Sequence, residues 1–336
     1  MNSLPKGYTS RPATLDDTDV IAELINQHAL RLTGEPYLPV EHLRRYLSIP
    51  GLDLEISSQL VFSPLNALAG FALVMDIQSP YVKIPAWGFV PESEQGQGIG
   101  SAFHAWLVPR AQQAIAKAPE STRVSIEQSV FGKDESAQHF LSQHGYQQTR
   151  HFWRMATTLD DTTPQPSVWP DGIVVQTVDL REDLERPYRV LDEAFQDHYG
   201  HVDGDFEERL ERQRHNLEND PDYSPELSFL AMDGDQIAGV CMCSPQSGMD
   251  TSVGYVSSLG VLPPWRKRGL GLALLHHAFG AFKQKGKVGA ALHVDAQSLT
   301  GATRLYEKAG MHVDQLSHEY ELELRAGNDL ATREAK

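Results

Sequence analysis

The chain has 336 residues, with 29 Lys plus Arg against 45 Asp plus Glu, for a formal net charge of −16. That balance excludes a nucleic-acid backbone as the main partner, because phosphates call for net basic faces. No apolar run approaches the ~20 residues of a membrane span, residues 68–75 being typical of the longest. The start, Met1-Asn2-Ser3-Leu4-Pro5-Lys6-Gly7, lacks the apolar core of a signal peptide, so a cytoplasmic location is expected. A chain of this length forms two ordinary cores more readily than one large one.

In chain order, Tyr8-Thr9-Ser10-Arg11-Pro12 leads into a helix with Val20, Ile21, Leu24 and Ile25 on one face. Leu60-Val61-Phe62, a turn at residues 64–66 and an apolar run at 69–75 read as paired strands. Residues 86–90 read as a strand that feeds a glycine-rich loop, Gln95-Gly96-Gln97-Gly98-Ile99-Gly100-Ser101-Ala102. Residues 157–172, with Asp160, Asp161, Pro164, Pro166 and Pro170, mark a linker. Ile173-Val174-Val175-Gln176 then leads into a second helix carrying Leu180, Leu184, Leu191 and Phe195. Phe229 to Met232, Asp233-Gly234 and the run 237–243 give a hairpin signal. Both cysteines, Cys241 and Cys243, lie on that second strand; two apart, they share a face, bridge poorly and suit packing. No metal site is expected, since ligands at a recognised spacing are lacking.

The stretch that says most is Arg266-Lys267-Arg268-Gly269-Leu270-Gly271-Leu272-Ala273. An extended segment, 253–262, precedes it and closes on Pro263-Pro264; after it Leu274, Leu275, Ala278, Phe279 and Phe282 recur at helical spacing. The glycines therefore fall in the first turn of a helix, where backbone N–H groups lack intrahelical partners. Without a Cβ, Gly269 and Gly271 let an anion come close, and the helix dipole with Arg266, Lys267 and Arg268 favours a pyrophosphate. Neither glycine loop completes Gly-x-Gly-x-x-Gly, because Leu274 and Ser101 stand at the last position, and no Gly-x-x-x-x-Gly-Lys-Ser/Thr loop occurs. Hydride transfer and nucleoside triphosphate hydrolysis are thereby set aside. The two loops repeat one spacing. Gly98 and Gly269 stand 171 residues apart, and the later glycines Gly145 and Gly310 stand 165 apart, which implies a tandem duplication.

Beyond the second loop, Ala290-Ala291-Leu292-His293-Val294 reads as a strand and residues 300–310 as a helix ending Leu305-Tyr306-Glu307-Lys308-Ala309-Gly310. With the Arg-x-x-Gly-x-Gly loop and this helix end together, the chain resembles the GNAT N-acetyltransferase superfamily. Its two-domain layout, Val294-Asp295-Ala296 and Ala302-x-x-Leu305-Tyr306 resemble the mycothiol synthase branch in particular. The resemblance implies an α/β fold of two tandem GNAT-like domains, each a mixed, mostly antiparallel sheet flanked by helices. The expected divisions are 8–156, a linker 157–172, a catalytic domain 173–325 and a flexible tail 326–336.

The same resemblance implies acetyl-CoA as cosubstrate, held by the strand residues Leu259, Gly260 and Val261 and the loop residues Arg266, Lys267, Arg268, Gly269, Leu270, Gly271, Leu272 and Ala273. Gln95, Gly98 and Gly100 would be the first-half counterparts. Tyr306 is the implied general acid, a phenol near pKa 10 giving its proton to a thiol near 8.5. In the first half Leu141 stands opposite Tyr306, and Gln95 and Gln97 stand opposite Arg266 and Arg268. The expectation is a degenerate first domain and a catalytic second one, transferring acetyl to a small-molecule amine with no nucleic acid and no membrane. Two departures from the family pattern bear on mechanism. Ser298 stands where Asn is common, and residues 255–259 carry no acidic side chain, so the general base is unassigned. The segment Phe195-Gln196-Asp197-His198-Tyr199-Gly200-His201 is read as the acceptor wall. Two rivals remain open: an acyl-CoA-binding sensor without turnover, and an acyltransferase using another acyl-CoA.

Overall fold

The computed structural model describes residues 4–333. In chain order the first elements are β1 (Thr9–Arg11), α1 (Thr18–Thr33), α2 (Val40–Leu47), α3 (Leu54–Ser57), β2 (Ser58–Phe62) and β3 (Leu68–Val74). Next come β4 (Lys83–Phe89), α4 (Ile99–Gln112), β5 (Val124–Phe131), α5 (Glu135–Gln143) and β6 (Gln147–Thr158). They are followed by β7 (Ile173–Thr177), α6 (Glu185–Phe195), α7 (Phe206–Glu218), β8 (Ser228–Asp233) and β9 (Gln236–Ser244). The last are β10 (Val253–Val261), α8 (Leu270–Gln284), β11 (Gly289–Asp295), α9 (Ala302–Lys308) and β12 (His312–Arg325).

Among the described residues two compact units arise, each from several segments: 4–149, 204–216 and 317–330 form the first, and 150–203, 217–316 and 331–333 the second. The first unit's sheet runs β1-β2-β3-β4-β5 and is completed by residues 317–325 of β12, antiparallel to β5. The second runs β7-β8-β9-β10-β11 and is completed by residues 152–158 of β6, antiparallel to β11. In each sheet one neighbouring pair is parallel, β4 with β5 and β10 with β11, and the crossover is a helix, α4 or α8. The two strand orders are the same.

The second unit's core explains why α8 is where it is. Leu270, Leu274, Leu275, Ala278, Phe279 and Phe282 recur every three or four residues and are buried against Phe229, Cys241, Val256, Ala290 and Leu292 of the sheet. Each large side chain so buried contributes about 1.5–3 kcal/mol. Gly254 sits under Phe282, whose ring would meet any Cβ there at 2.4 Å. In the first unit Ile21, Leu24 and Ile25 of α1 with Leu43 and Leu47 of α2 cover Leu60, Phe71 and Leu73 on one face. Ile99 and Phe103 of α4 cover Val61, Ala69 and Ala72 on the other.

Of the segment read as a linker, Thr157 and Thr158 end β6, Leu159 is buried and Trp169 packs on the second unit's core. Residues 328–332, read as part of a loose tail, are hydrogen-bonded. Asn328 exchanges backbone bonds with Ser121 and Arg123, and Thr332 with Gly200 and His201. Residues 334–336 of that tail lie outside the described residues. No described helix is long and apolar enough to cross a membrane.

Candidate active site

The site starts from a strand split. β10 and β11 pair only at Val253–Tyr255 with Gly289–Ala291. Past that point β10 continues beside β9 to Val261, and β11 continues beside β6 to Asp295. The facing edges thus lose their partners and offer unpaired backbone groups to an extended, amide-bearing ligand. A bulge deepens the split. Between Val256 and Ser258 the β9 register shifts, leaving Ser257 as the extra residue, its hydroxyl donating to the Met242 carbonyl at 2.9 Å. Gly260 lies further along β10 because α6 presses there; a Cβ would meet Leu191 at 2.8 Å. Leu259 and Val261 flank it, half-buried against the core.

The loop after β10 presents the start of α8. Gly269 is its N-cap, with φ of 87° and no side-chain cap; the first backbone bond across the cap is from Ala273 N–H to the Gly269 carbonyl at 3.0 Å. The amides ahead of it are available, and the position above Gly269 is open, with nothing within 4 Å of an added Cβ. Lys267 also takes a left-handed conformation, φ of 60°. Alternation of this kind turns successive N–H groups to one side as an anion nest. Lys267 and Arg268 are exposed, and no described residue pairs with either. Leu270 and Ala273 are buried and Leu272 packs on the core, so these three offer backbone only.

Two loop residues have close neighbours within the protein. Arg266 is committed within the protein. Its guanidinium is ion-paired with Asp197 and donates to the carbonyls of Val261 at 2.9 Å and Ala194 at 3.0 Å, pinning α6 to the end of β10. Gly271 makes room for a neighbour, since a Cβ would lie 3.2 Å from Leu305 of α9. In the first unit, Gly98 has φ of 88° above open space and Gly100 faces Phe140 at 3.3 Å, while Gln95 accepts a hydrogen bond from Ser136 at 3.4 Å.

Tyr306 projects from α9 into the core face of the split, 8% exposed, beside Cys241. Burial first, then the Cys241 thiol, pushes its phenol up to about 12. Its hydroxyl makes no hydrogen bond to any described residue. Ser298 accepts weakly from Ala302 N–H at 3.4 Å, at the first turn of α9.

The opposite face carries the polar groups. Tyr255 Oη lies 2.9 Å from His293 Nδ1. His293 is solvent-accessible, yet the protein around it and the nearby Arg154 guanidinium hold its imidazole down at about 4. At the end of α6, His198 packs on Phe195 with ring centroids 4.6 Å apart, and burial lowers its pKa, with Asp197, Arg266 and Asp295 among the charges near it. Tyr199 stacks under the Arg150 guanidinium, 3.3 Å from the ring centroid. The segment read as an acceptor wall thus meets Asp295 and Arg150 over the sheet. The Tyr255–His293 contact and the Arg266–Asp197 pair have no local sequence signal, because their partners are 38 and 69 residues apart.

Comparison with known proteins is consistent with this geometry. The Acetyltransferase (GNAT) family model matches residues 179–311. The crystal structure of a GCN5-related N-acetyltransferase from Sphaerobacter thermophilus is 33% identical, with a TM-score of 0.79 over 98% of this chain and 99% of that one. The mycothiol acetyltransferase of Thermobispora bispora is 26% identical over 248 residues, 73% of this chain and 77% of the relative. A tandem GNAT protein from the clavulanic acid biosynthesis pathway shares the fold, with a TM-score of 0.70 at 11% identity over 96% of this chain and all of that one. The split strands, the uncapped helix start and these likenesses together place the chain in the GCN5-related N-acetyltransferase family, as an acetyltransferase with acetyl-CoA as its cosubstrate.

Proposed function

We propose that the second unit transfers acetyl from acetyl-CoA directly to a small amine, with Tyr306 as the general acid. The observation that carries this reading is the split between β10 and β11, which has the uncapped start of α8 at one end and an unpartnered phenol on its core face. In it the pantetheine amides would complete the free edge of β10 along Leu259, Gly260 and Val261. The pyrophosphate would sit on the amides of residues 268–272, with Lys267 and Arg268 as its cations. The bulge at Ser257 supports a backbone donor for the oxyanion of the tetrahedral intermediate.

A phenol at about 12 facing a thiolate whose thiol titrates near 8.5 would yield its proton uphill by about 5 kcal/mol if only the phenol were desolvated. The sulfur leaves in the same water-poor split, so its own pKa rises too and the gap narrows. Tyr306 then acts late, as the C–S bond breaks.

The acceptor is a small polar amine, amino acid or amino sugar, read from the His198, Tyr199, Arg150 and Asp295 surroundings. The relative in Thermobispora bispora is a mycothiol acetyltransferase, and the lack of an acidic side chain at residues 255–259 argues for a different amine here. Free-thiol release from acetyl-CoA, measured against amines, amino acids, amino sugars and cysteinyl compounds, tests the reading. Release with one class supports it and names the acceptor; acetyl-CoA binding with silence across the panel would favour a sensor. The first unit keeps the loop geometry with Leu141 in place of a phenol, which supports acetyl-CoA binding there, through Gln95, Gly98 and Gly100, without turnover.

A further inference from the structure

We infer that His293, held by Tyr255, receives the proton that the acceptor amine loses; this deepens the reading above and rests on it. Tyr255 is the last β10 residue paired with β11, and Ala291 is its partner. Cross-strand partners share a face, and the two-residue period of a strand puts His293 on that face too. Val256, Leu292, Val294 and Tyr306 belong to the core on the other side. The pair therefore flanks the split from the acceptor side, where residues 255–259 leave the base position without a carboxylate.

The 2.9 Å contact between Tyr255 Oη and His293 Nδ1 fixes the ring. With the proton on Nδ1, the imidazole donates to the Tyr255 oxygen and Nε2 keeps its lone pair. The charged and titratable groups around it are few. Arg154 of β6 stands directly opposite His293 in register and is tied to Asp314 and Ser247. Asp295, two residues on along β11, lies 3.8 Å from Arg150, and His198 approaches Asp295 from the end of α6. Desolvation by the surrounding protein first, then Arg154, keeps the imidazole neutral, as a base must be at neutral pH. A weak base suffices because the amine nitrogen becomes strongly acidic only once it has bonded to the carbonyl carbon.

The step balances. The nitrogen forms the C–N bond, its proton passes to His293 Nε2, the C–S bond breaks, and the sulfur takes the proton of Tyr306. Solvent then carries one proton from the imidazolium back to the phenolate.

His293→Gln and Tyr255→Phe, assayed as full-length protein with acetyl-CoA and either glucosamine or hydroxylamine, test the assignment. The hydroxylamine adduct sheds its proton to water more readily and depends less on a base. The expected result for His293→Gln is a loss of about 100-fold in kcat with glucosamine and about threefold or less with hydroxylamine, at unchanged acetyl-CoA affinity. Tyr255→Phe should lose about tenfold with glucosamine. Equal losses on both amines, or none on either, would overturn the role of the pair while leaving Tyr306 untouched. If the wild type is silent toward both but releases thiol with another amine of the panel, the same comparison is made with that amine, where an unchanged kcat in His293→Gln overturns the pair. Only silence across the whole panel overturns the transfer reading.

Discussion

The two glycine loops have one backbone and two chemistries. Gly96 and Lys267 are left-handed, Gly98 and Gly269 cap their helices at φ of 88° and 87°, and Gly100 and Gly271 lie under Phe140 and Leu305. Both units split a parallel strand pair after three paired residues. Around that shared frame the first unit has Gln95, Gln97 and Leu141 where the second has Arg266, Arg268 and Tyr306. The register of β4 against β3 is regular, while β10 is bulged against β9. The lesson is that the loop backbone is the same in both units while the side chains around it differ, so a glycine pattern alone does not tell the two units apart.

The sharpest way to break this comparison is Tyr306→Phe. Turnover should fall by about 10²- to 10⁴-fold with acetyl-CoA affinity unchanged, read by thiol release and calorimetry. Next, Gly269→Ala should weaken acetyl-CoA binding linked to turnover by about tenfold, through strain at a positive φ beneath the anion. On the proposal that turnover belongs to the second unit, Gly98→Ala should leave KM for acetyl-CoA within about twofold. A larger effect at Gly98 than at Gly269 would reverse the assignment of the units.

Acidity gives a third, smaller contrast. His293 titrates at about 4 in the folded chain, below its ordinary value of 6.5, so the unfolded chain binds more protons between them. The second unit should therefore gain stability as pH rises from about 4 to about 6.5. Glu319 of the first unit is raised to about 7, by burial first and then by Glu127. Its protonated form favours folding, so the first unit should lose stability as pH rises from about 4.5 to about 7. Melting followed by hydrogen exchange in each unit checks the opposing slopes. His293→Gln should flatten one and Glu319→Gln the other. The smallest expected effect is that of Leu141→Tyr, which should confer no measurable turnover on the first unit, since the β4 edge lacks the bulge.

Much of this was legible from the residues. The hairpin at Asp233-Gly234, the α8 stripe and the paired loops follow from turn chemistry and helical spacing, and all lie where the pattern puts them. Helix α7 left no such trace: its sequence is dominated by Glu and Arg, and among its residues only Leu210 and Leu217 are buried apolar side chains. Nor does alternation in Tyr320, Leu322 and Leu324 reveal that this strand pairs with β5, because period alone names a strand without naming its partner. Near the split, the glycines ahead of α8 and the placing of Tyr306 on a helix were readable as positions in the fold. The use of Arg266 on Asp197 and the Tyr255–His293 contact were not, since each depends on side chains brought together by the sheet.

The central claim is acetyl transfer in the second unit with Tyr306 as acid, and the direct measurement is thiol release by wild type and Tyr306→Phe beside their acetyl-CoA affinities. Equal affinity with release slowed at least about 100-fold is the expected result. Equal release would contradict the account.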